Sequence, residues 1–120
     1  MTDKLSILVV DDNHDSADSL ARSLTLLGHR THVAYAGHAA LVEAAAVLPD
    51  VAILDIGMPG LNGLELSREL RKARRPIPVH IALTGWPRET VEQYGGFDHV
   101  LSKPVQLDSL VRLLESSRDS

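Results

Sequence analysis

The sequence predicts a doubly wound α/β domain, in which helices cover both faces of a parallel sheet. Short apolar runs rich in β-branched residues recur along the chain, and segments with helical spacing lie between them. Most of these runs are continuously apolar, which is typical of strands buried on both faces of a parallel sheet. Because strands that alternate with helices need right-handed crossovers, the helices are expected on both sides of the sheet.

Five short runs are predicted to form the strands. In chain order they cover residues 7–10, 31–36, 51–54, 79–83 and, more weakly, 99–102. In a sheet of this kind, ligands bind beyond the carboxyl ends of the strands, near the point where the strand order reverses. The residues that follow each run are therefore the candidates for a functional site.

Four segments are predicted to form helices because the apolar residues of each share one face. The apolar stripes consist of Ala17, Leu20, Leu24 and Leu27; of Ala40, Leu41, Ala44, Val47 and Leu48; of Leu66, Leu70 and Ala73; and of Leu107, Leu110, Val111 and Leu114. The first three segments end at Gly28, Pro49 and Pro76, which are typical residues after a helix. A further helix before the last strand should be short, because a proline and two glycines interrupt that segment.

Length and composition favour one domain with its own core. The chain has 120 residues, a mass of 13.0 kDa and 44% hydrophobic residues. We expect a single domain over residues 1–120, with a polar tail at residues 116–120. The absence of cysteine from the sequence excludes disulfides, thiolate metal sites and cysteine nucleophiles.

The charge pattern argues against nucleic acid or a membrane as a partner. The net charge is −4, the aromatic content is 3%, and the basic residues cluster only at Arg71, Lys72, Arg74 and Arg75. We interpret this cluster as a solvated helix terminus, where cations offset the partial negative charge of the helix end. The apolar run at residues 5–10 is too short for a signal peptide or a membrane span. We therefore expect a soluble, cytoplasmic protein.

Chemically active side chains follow four of the predicted strands. Asp11 and Asp12 follow the first strand, Asp55 the third, Thr84 the fourth and Lys103 the fifth. Three carboxylates that meet at one edge of a sheet repel each other unless protons or a cation compensate. Oxygen ligands from few protein groups suit Mg²⁺, which commonly bridges carboxylates to a phosphate. An aspartate can attack phosphorus to form an acyl phosphate, while Mg²⁺, a lysine and a hydroxyl stabilise the charge.

Four motifs together resemble the receiver domains of two-component response regulators and hybrid histidine kinases. They are ILVVDDN at 7–13, LDIGMPGLNG at 54–63, ALTG at 82–85 and LSKP at 101–104, and the resemblance covers essentially the whole chain. It implies a flavodoxin-like fold with strand order 2-1-3-4-5 and, in this chain, a shortened fourth helix. It also implies a signalling domain that catalyses only its own phosphorylation and dephosphorylation.

The resemblance implies a Mg²⁺ site built from four residues. Asp12 and Asp55 would bind the ion directly, and Asp11 would act mostly through water. The main-chain carbonyl of Gly57 would complete the protein ligands.

The resemblance also implies roles in phosphoryl transfer. Asp55 would be the phosphoacceptor, and Lys103 would pair with Asp55 and with a phosphoryl oxygen. Thr84 would move toward the phosphoryl group and carry the signal to the face around the fourth and fifth strands. The donor would be a histidine kinase or a histidine phosphotransfer protein and the output a protein target, with dimerisation on phosphorylation as a possible assembly.

The chain departs from the family pattern where a signal would leave the domain. Val100 stands three residues before Lys103, where many receivers carry Tyr or Phe, and the segment from Thr84 to Lys103 is shorter than usual. Two alternatives stay open. One is a degenerate receiver that binds proteins without phosphorylation. The other is a phosphohydrolase with Asp55 as nucleophile, although Gly57 stands where such enzymes usually carry a second acid and the chain is too short for a substrate cap.

Overall fold

The computed structural model describes residues 4–118, which form a five-stranded sheet flanked by five helices. The strands are β1 (Ser6–Val10), β2 (Arg30–Ala34), β3 (Val51–Asp55), β4 (Val79–Thr84) and β5 (His99–Ser102). The helices are α1 (His14–Leu26), α2 (Gly37–Val47), α3 (Gly63–Arg71), α4 (Arg88–Tyr94) and α5 (Leu107–Arg118). All neighbouring strands are parallel, in the order β2-β1-β3-β4-β5. The predicted fold class and strand order are confirmed.

The sheet is buried on both faces, as the continuously apolar runs predicted. In β1, Ile7 and Val9 belong to the core shared with α1 and α5, whereas Leu8 and Val10 belong to the core shared with α2 and α3. All four side chains are at most 1% exposed. Because successive side chains along a strand point to opposite faces, a central strand covered on both sides is apolar at every position.

The strand order reverses between β1 and β3. The chain crosses outward from β1 to β2 and then returns past β1 to form β3. Helix α1 connects β1 to β2 and helix α2 connects β2 to β3, and the two helices lie on opposite faces of the sheet. This arrangement leaves a crevice at the carboxyl ends of β1 and β3.

Asparagine caps fix the loops that leave this crevice. The side chains of Asn13 and Asn62 each accept a hydrogen bond at 3.0 Å from the backbone N–H three residues on, at the starts of α1 and α3. At α3, Glu65 accepts a bond from the Asn62 N–H and completes a capping box. These caps determine where the chain turns after β1 and after β3.

The structure corrects several predicted element ends. β2 spans residues 30–34 and not 31–36, so Tyr35 and Ala36 lie outside the sheet. Asp55 and Thr84 are the last residues of β3 and β4 and do not follow these strands. Helix α4 has seven residues, which agrees with the expected shortening.

The predicted apolar stripes are buried in their middle parts and more exposed toward their ends. Leu27, Leu48 and Leu107 are each at least 40% exposed. Among residues 4–118, no helix is long and apolar enough to cross a bilayer. Of the predicted polar tail, residues 116–118 continue α5, and residues 119–120 lie outside the described residues.

Candidate functional site

Three carboxylates meet at the carboxyl edge of the sheet. Asp11 directly follows β1, Asp12 comes next, and Asp55 ends β3. One carboxylate oxygen from each of the three lies within 4.8 Å of the others. Asp11 and Asp55 are only 3% and 5% exposed, whereas Asp12 is exposed. The topology therefore brings these predicted site residues together, with Asp12 on the solvent side.

Lys103 extends into this cluster from the loop after β5. Its Nζ lies 3.0 Å from Asp55 Oδ1 and 3.5 Å from Asp11 Oδ2. The Lys103 N–H donates to the Thr84 carbonyl at 2.8 Å, and the Lys103–Pro104 peptide bond is cis. Partial burial acts to lower the pKa of Lys103, but the hydrogen bond and charge of Asp55, together with Asp11, outweigh it and raise the pKa. The lysine is therefore held in its charged form.

Backbone N–H groups hold the two buried carboxylates in place. Asn13 N–H donates to Asp11 Oδ1 at 3.0 Å, and Gly57 N–H donates to Asp55 Oδ1 at 3.1 Å. Burial raises the pKa of Asp11, and the nearby Asp55 adds to this rise, while the Asn13 hydrogen bond and Lys103 oppose it. The Asp11 carboxylate is therefore destabilised by its surroundings and would gain from a further cation.

Thr84 lies at the end of β4, next to the β5 loop that carries Lys103. It is 2% exposed, and its hydroxyl oxygen accepts a hydrogen bond from the Trp86 N–H at 2.8 Å. A hydroxyl has one hydrogen to donate besides the lone pairs that accept. The bond from Trp86 thus fixes the oxygen and leaves the hydroxyl hydrogen able to donate elsewhere.

The donor set matches a hard divalent cation. The cluster offers carboxylate oxygens and no nitrogen or sulfur ligand, and one lysine against three carboxylates leaves two negative charges without a balancing cation. Mg²⁺ prefers oxygen ligands, keeps several of its waters and is bound by one or two carboxylates. Gly57 lies beside Asp55 through its N–H, and the predicted role of its carbonyl as a ligand stays a prediction.

Comparisons with known proteins agree with this arrangement. The family model of the response regulator receiver domain matches residues 7–115. The chain belongs to this family. Among curated relatives, the response regulator MprA of Mycobacterium avium is 38% identical over 112 residues, which cover 89% of this chain and 48% of MprA. This receiver chain therefore spans about half the length of the relatives it matches, so the activity of a longer protein does not transfer directly.

Solved receiver structures share the fold. The chemotaxis protein CheY4 of Vibrio cholerae has a TM-score of 0.89 at 25% identity, covering 95% of this chain and 98% of CheY4. The response regulator TrrA of Thermotoga maritima has a TM-score of 0.83 at 30% identity, covering 94% of this chain and 98% of TrrA. The TrrA structure is a complex with Mg(2+)-BeF. The chain is thus a signalling domain of two-component systems.

Sequence reasoning missed a polar cluster in this receiver domain, which joins the buried His80 and Ser67 to the exposed Arg71 and Asp98. His80 of β4 is fully buried, and its Nδ1 lies 2.7 Å from the Ser67 Oγ of α3. Asp98 accepts a hydrogen bond from the His80 N–H at 2.7 Å and lies 3.4 Å from Arg71. Arg71 Nε also donates to the Gly96 carbonyl at 2.9 Å. One local signal was present, since His80 interrupts an otherwise apolar strand run.

Arg71 lies in the last turn of α3 with its side chain 39% exposed, which agrees with the predicted solvated helix terminus, but it also makes contacts that the sequence did not predict. Its guanidinium connects α3 to the segment before β5 through Gly96 and Asp98. These contacts could not be predicted for a simple reason. Helical spacing shows which residues face outward, but it does not show which loop lies against that face.

Proposed function

We propose that this receiver domain accepts a phosphoryl group on Asp55 from the phosphohistidine of a histidine kinase or a histidine phosphotransfer protein. The observation that carries the proposal is the position of Asp55, buried between Asp11, Asp12 and the Lys103 ammonium. Charge of both signs is concentrated around this one carboxylate. Phosphoryl transfer needs positioned charges more than acid–base groups, because the transition state spreads negative charge over three oxygens.

Asp55, Lys103 and Thr84 have different roles in the transfer. Gly57 N–H and Lys103 both contact Asp55 Oδ1, so Oδ2 is the oxygen that attacks phosphorus. The new bond joins Oδ2 to phosphorus, and the phosphorus–nitrogen bond of the donor breaks, leaving its electron pair on the histidine nitrogen. Lys103 pairs with a phosphoryl oxygen, and the Thr84 hydroxyl donates to another. The Lys103 ammonium and the Thr84 hydroxyl thus stabilise the negative charge on the oxygens of the phosphoryl group.

Mg²⁺ is the proposed cofactor. When bound to Asp12, Asp55 and the Gly57 carbonyl, with Asp11 acting through water, it would neutralise charge on the incoming phosphoryl group. Oxygen-only donors and the two uncompensated charges of the cluster support this choice. The three carboxylates give the site a negative charge, which favours binding of a cation.

The output is a conformational signal at the face of β4 and β5. Thr84 ends β4, and a shift of its hydroxyl toward the phosphoryl group would move the backbone that bonds to Lys103. Val100 of β5 is 6% exposed and packs in a small cluster with Ile56 and Val91. A β-branched valine has few rotamers, so we expect α4 and the β4–α4 loop to shift, with no side-chain rotation at position 100.

The remaining expectations belong to the same proposal. The domain catalyses only its own phosphorylation and dephosphorylation, acts in the cytoplasm on a protein target, and extends over residues 1–120. A dimer on phosphorylation is one form that the output could take. No nucleic-acid or membrane contact is needed for any of these steps.

Phosphorylation by a small donor tests the proposal. We expect acetyl phosphate with Mg²⁺ to add one phosphoryl group to the wild-type chain, measured by intact mass, and to leave Asp55→Asn unlabelled. Asp108→Asn, an exposed aspartate on α5, is the matched control and should label like wild type. Equal labelling of Asp55→Asn would refute the assignment of the acceptor. Absence of labelling in wild type, together with no Mg²⁺ affinity and no response to beryllofluoride, would favour the phosphorylation-independent binding module.

A further inference from the structure

An apolar groove lies between the C-terminal parts of α2 and α3. Its volume is about 320 Å³, and α2, α3 and the segment leading into β4 contribute its lining. Leu41, Leu48, Leu70 and Ile77 are its large apolar side chains. Both helices run back from the carboxyl edge of the sheet, so this α2–α3 groove lies at the opposite edge from Asp55.

Helix α2 presents an apolar surface to solvent as well as to the sheet. Its buried residues are Gly37, Ala40 and Ala44. On its outer side Val42 is 72% exposed, and Ala45 beside it is exposed as well. An amphipathic helix normally turns polar residues to solvent, whereas Val42 and Ala45 are apolar. The sheet and α3 cover the buried side of α2, and these two apolar residues stay exposed.

Leu48, at the end of α2, adds a second observation. Its φ is 48°, in the left-handed region, and its side chain is 44% exposed while lining the groove. Glycine or asparagine adopts this backbone conformation with less strain than leucine. The leucine thus keeps a large exposed apolar surface at the groove despite the strain, and a bound partner would contact this surface.

The charge at the rim indicates which partner the groove fits. Arg74 and Arg75 line it on the α3 side. Neither forms an ion pair within residues 4–118, although the preceding Arg71 and Lys72 do. This rim is positive on a chain whose net charge is −4. A ligand that is apolar on one side and acidic on the other complements both the lining and the rim.

We propose that the α2–α3 groove docks an acidic amphipathic helix of a partner protein. Apolar side chains at helical spacing would fill the space between Leu41, Leu48 and Leu70, and the acidic flank would lie against Arg74 and Arg75. Because the groove is remote from Asp55, docking leaves that carboxylate accessible and does not depend on its phosphorylation.

A peptide titration followed by amide NMR tests the docking. The probe is a synthetic helical peptide with leucines on one face and glutamates elsewhere, and the matched peptide carries lysine at every glutamate. We expect the acidic peptide to shift the amides of Leu41, Leu48, Ala73 and Arg75, and the basic peptide to bind at least about tenfold more weakly. The Asp55→Asn variant should bind the acidic peptide as wild type does, which separates this proposal from the phosphoryl-acceptor proposal.

Two variants and one matched control locate the binding surface. The double variant Arg74→Glu, Arg75→Glu should weaken acidic-peptide binding by about tenfold or more. The control double variant Arg22→Glu, Arg112→Glu makes the same change in net charge on α1 and α5, away from the groove. We expect this control to bind the acidic peptide as wild type does. Leu48→Asn should weaken binding and keep the fold, since asparagine tolerates positive φ.

Four outcomes would overturn the proposal. The first two are the absence of amide shifts at millimolar peptide and amide shifts centred away from the groove. The other two are an equal loss of affinity in both charge-reversal double variants and equal affinity for the acidic and the basic peptide. Binding of phosphatidylglycerol vesicles that depends on Arg74 and Arg75, without peptide binding, would assign the groove to a lipid surface instead. Self-association in sedimentation that Leu48→Asn abolishes, again without peptide binding, would assign it to a second copy of the chain.

Discussion

His80 combines complete burial with only partial hydrogen bonding. Its Nδ1 lies 2.7 Å from Ser67 Oγ, and Ser67 Oγ lies 3.4 Å from the Gly96 carbonyl, to which it donates. The Nε2 of His80 has no hydrogen-bond partner within residues 4–118. Burial, together with the charge of Arg71, lowers the pKa of His80 to about 4, while Asp98 acts in the opposite direction.

This depressed pKa predicts an acid-sensitive contribution to stability. The pKa of His80 is 6.5 in the unfolded chain, as for an ordinary histidine, and about 4 in the folded protein. The unfolded state therefore binds more protons between these values, and stability falls as pH drops from 6.5 toward 4. Urea unfolding at pH 7.5 and pH 5 should show a larger loss for wild type than for His80→Asn. His38→Asn, on the exposed face of α2, is the control, and an equal pH dependence in His80→Asn and wild type would contradict the prediction.

Lys103 is the one cation in contact with both buried carboxylates, within the described residues. Lys103→Met should lower the rate of phosphorylation by acetyl phosphate by about 100-fold, because positioned charge stabilises the transition state. Stopped-flow fluorescence of Trp86 or intact mass against time would measure the rate. Lys4→Met, at an exposed lysine outside the site, is expected to leave it unchanged. A rate for Lys103→Met within twofold of wild type would remove the lysine from the mechanism.

At the scale of the elements, the loop between β3 and α3 depends on close backbone packing. A Cβ on Gly63, the first residue of α3, would come within 3.0 Å of the backbone of Asp55 and Ile56. Only glycine lets α3 start so near the end of β3. The position of Asp55 is thus tied to a residue eight positions later in the chain.

Gly63→Ala should destabilise the domain by about 1–3 kcal/mol through overpacking. Gly85→Ala is the matched control, because a Cβ there meets no atom within 4 Å and its φ lies outside the positive region. We expect the control to change stability by at most about 0.5 kcal/mol. Denaturant unfolding of both variants measures the difference, and equal stabilities would show that α3 moves away without cost.

Across the whole molecule, the acidic edge makes folding sensitive to divalent cations. In the folded chain, three carboxylates at one edge of the sheet repel each other and lower the stability. A cation that binds only the folded state stabilises that state by mass action. At a concentration of about 100 times its dissociation constant, Mg²⁺ should add roughly 2.7 kcal/mol to the free energy of unfolding.

The Mg²⁺ response should disappear when a ligand is removed. Asp12→Asn should unfold at a similar or higher temperature than wild type without Mg²⁺, because one repulsive charge is gone, and should gain little from added Mg²⁺. Asp15→Asn, an exposed aspartate in the first turn of α1, removes the same charge outside the cluster and should keep the full response. Differential scanning calorimetry with Mg²⁺ and with EDTA measures both, and an equal Mg²⁺ response in the two variants would place the ion elsewhere.

Most of the fold could be predicted because its signals are local. The continuous apolar run of β1 and the interrupted segment of α4 each follow from the residues at those positions. The prediction failed at the ends of β2, since Tyr35 and Ala36 are as compatible with a strand as the residues before them. The ladder with β1, which ends at the pair Val10 and Ala34, decides that boundary.

The sequence by itself determined the order of strands and helices and the side chains available at the strand ends, because apolar periodicity and turn residues act over a few neighbours. Only the tertiary structure decided which groups meet: Lys103 between Asp11 and Asp55, Arg71 against Gly96, and the groove that Leu48 shares with α3. The physical reason is that the sequence does not determine the protonation, the pairing or the exposure of a side chain. Burial and the arrival of partners from distant strands and helices set its pKa, its pairing and its exposure.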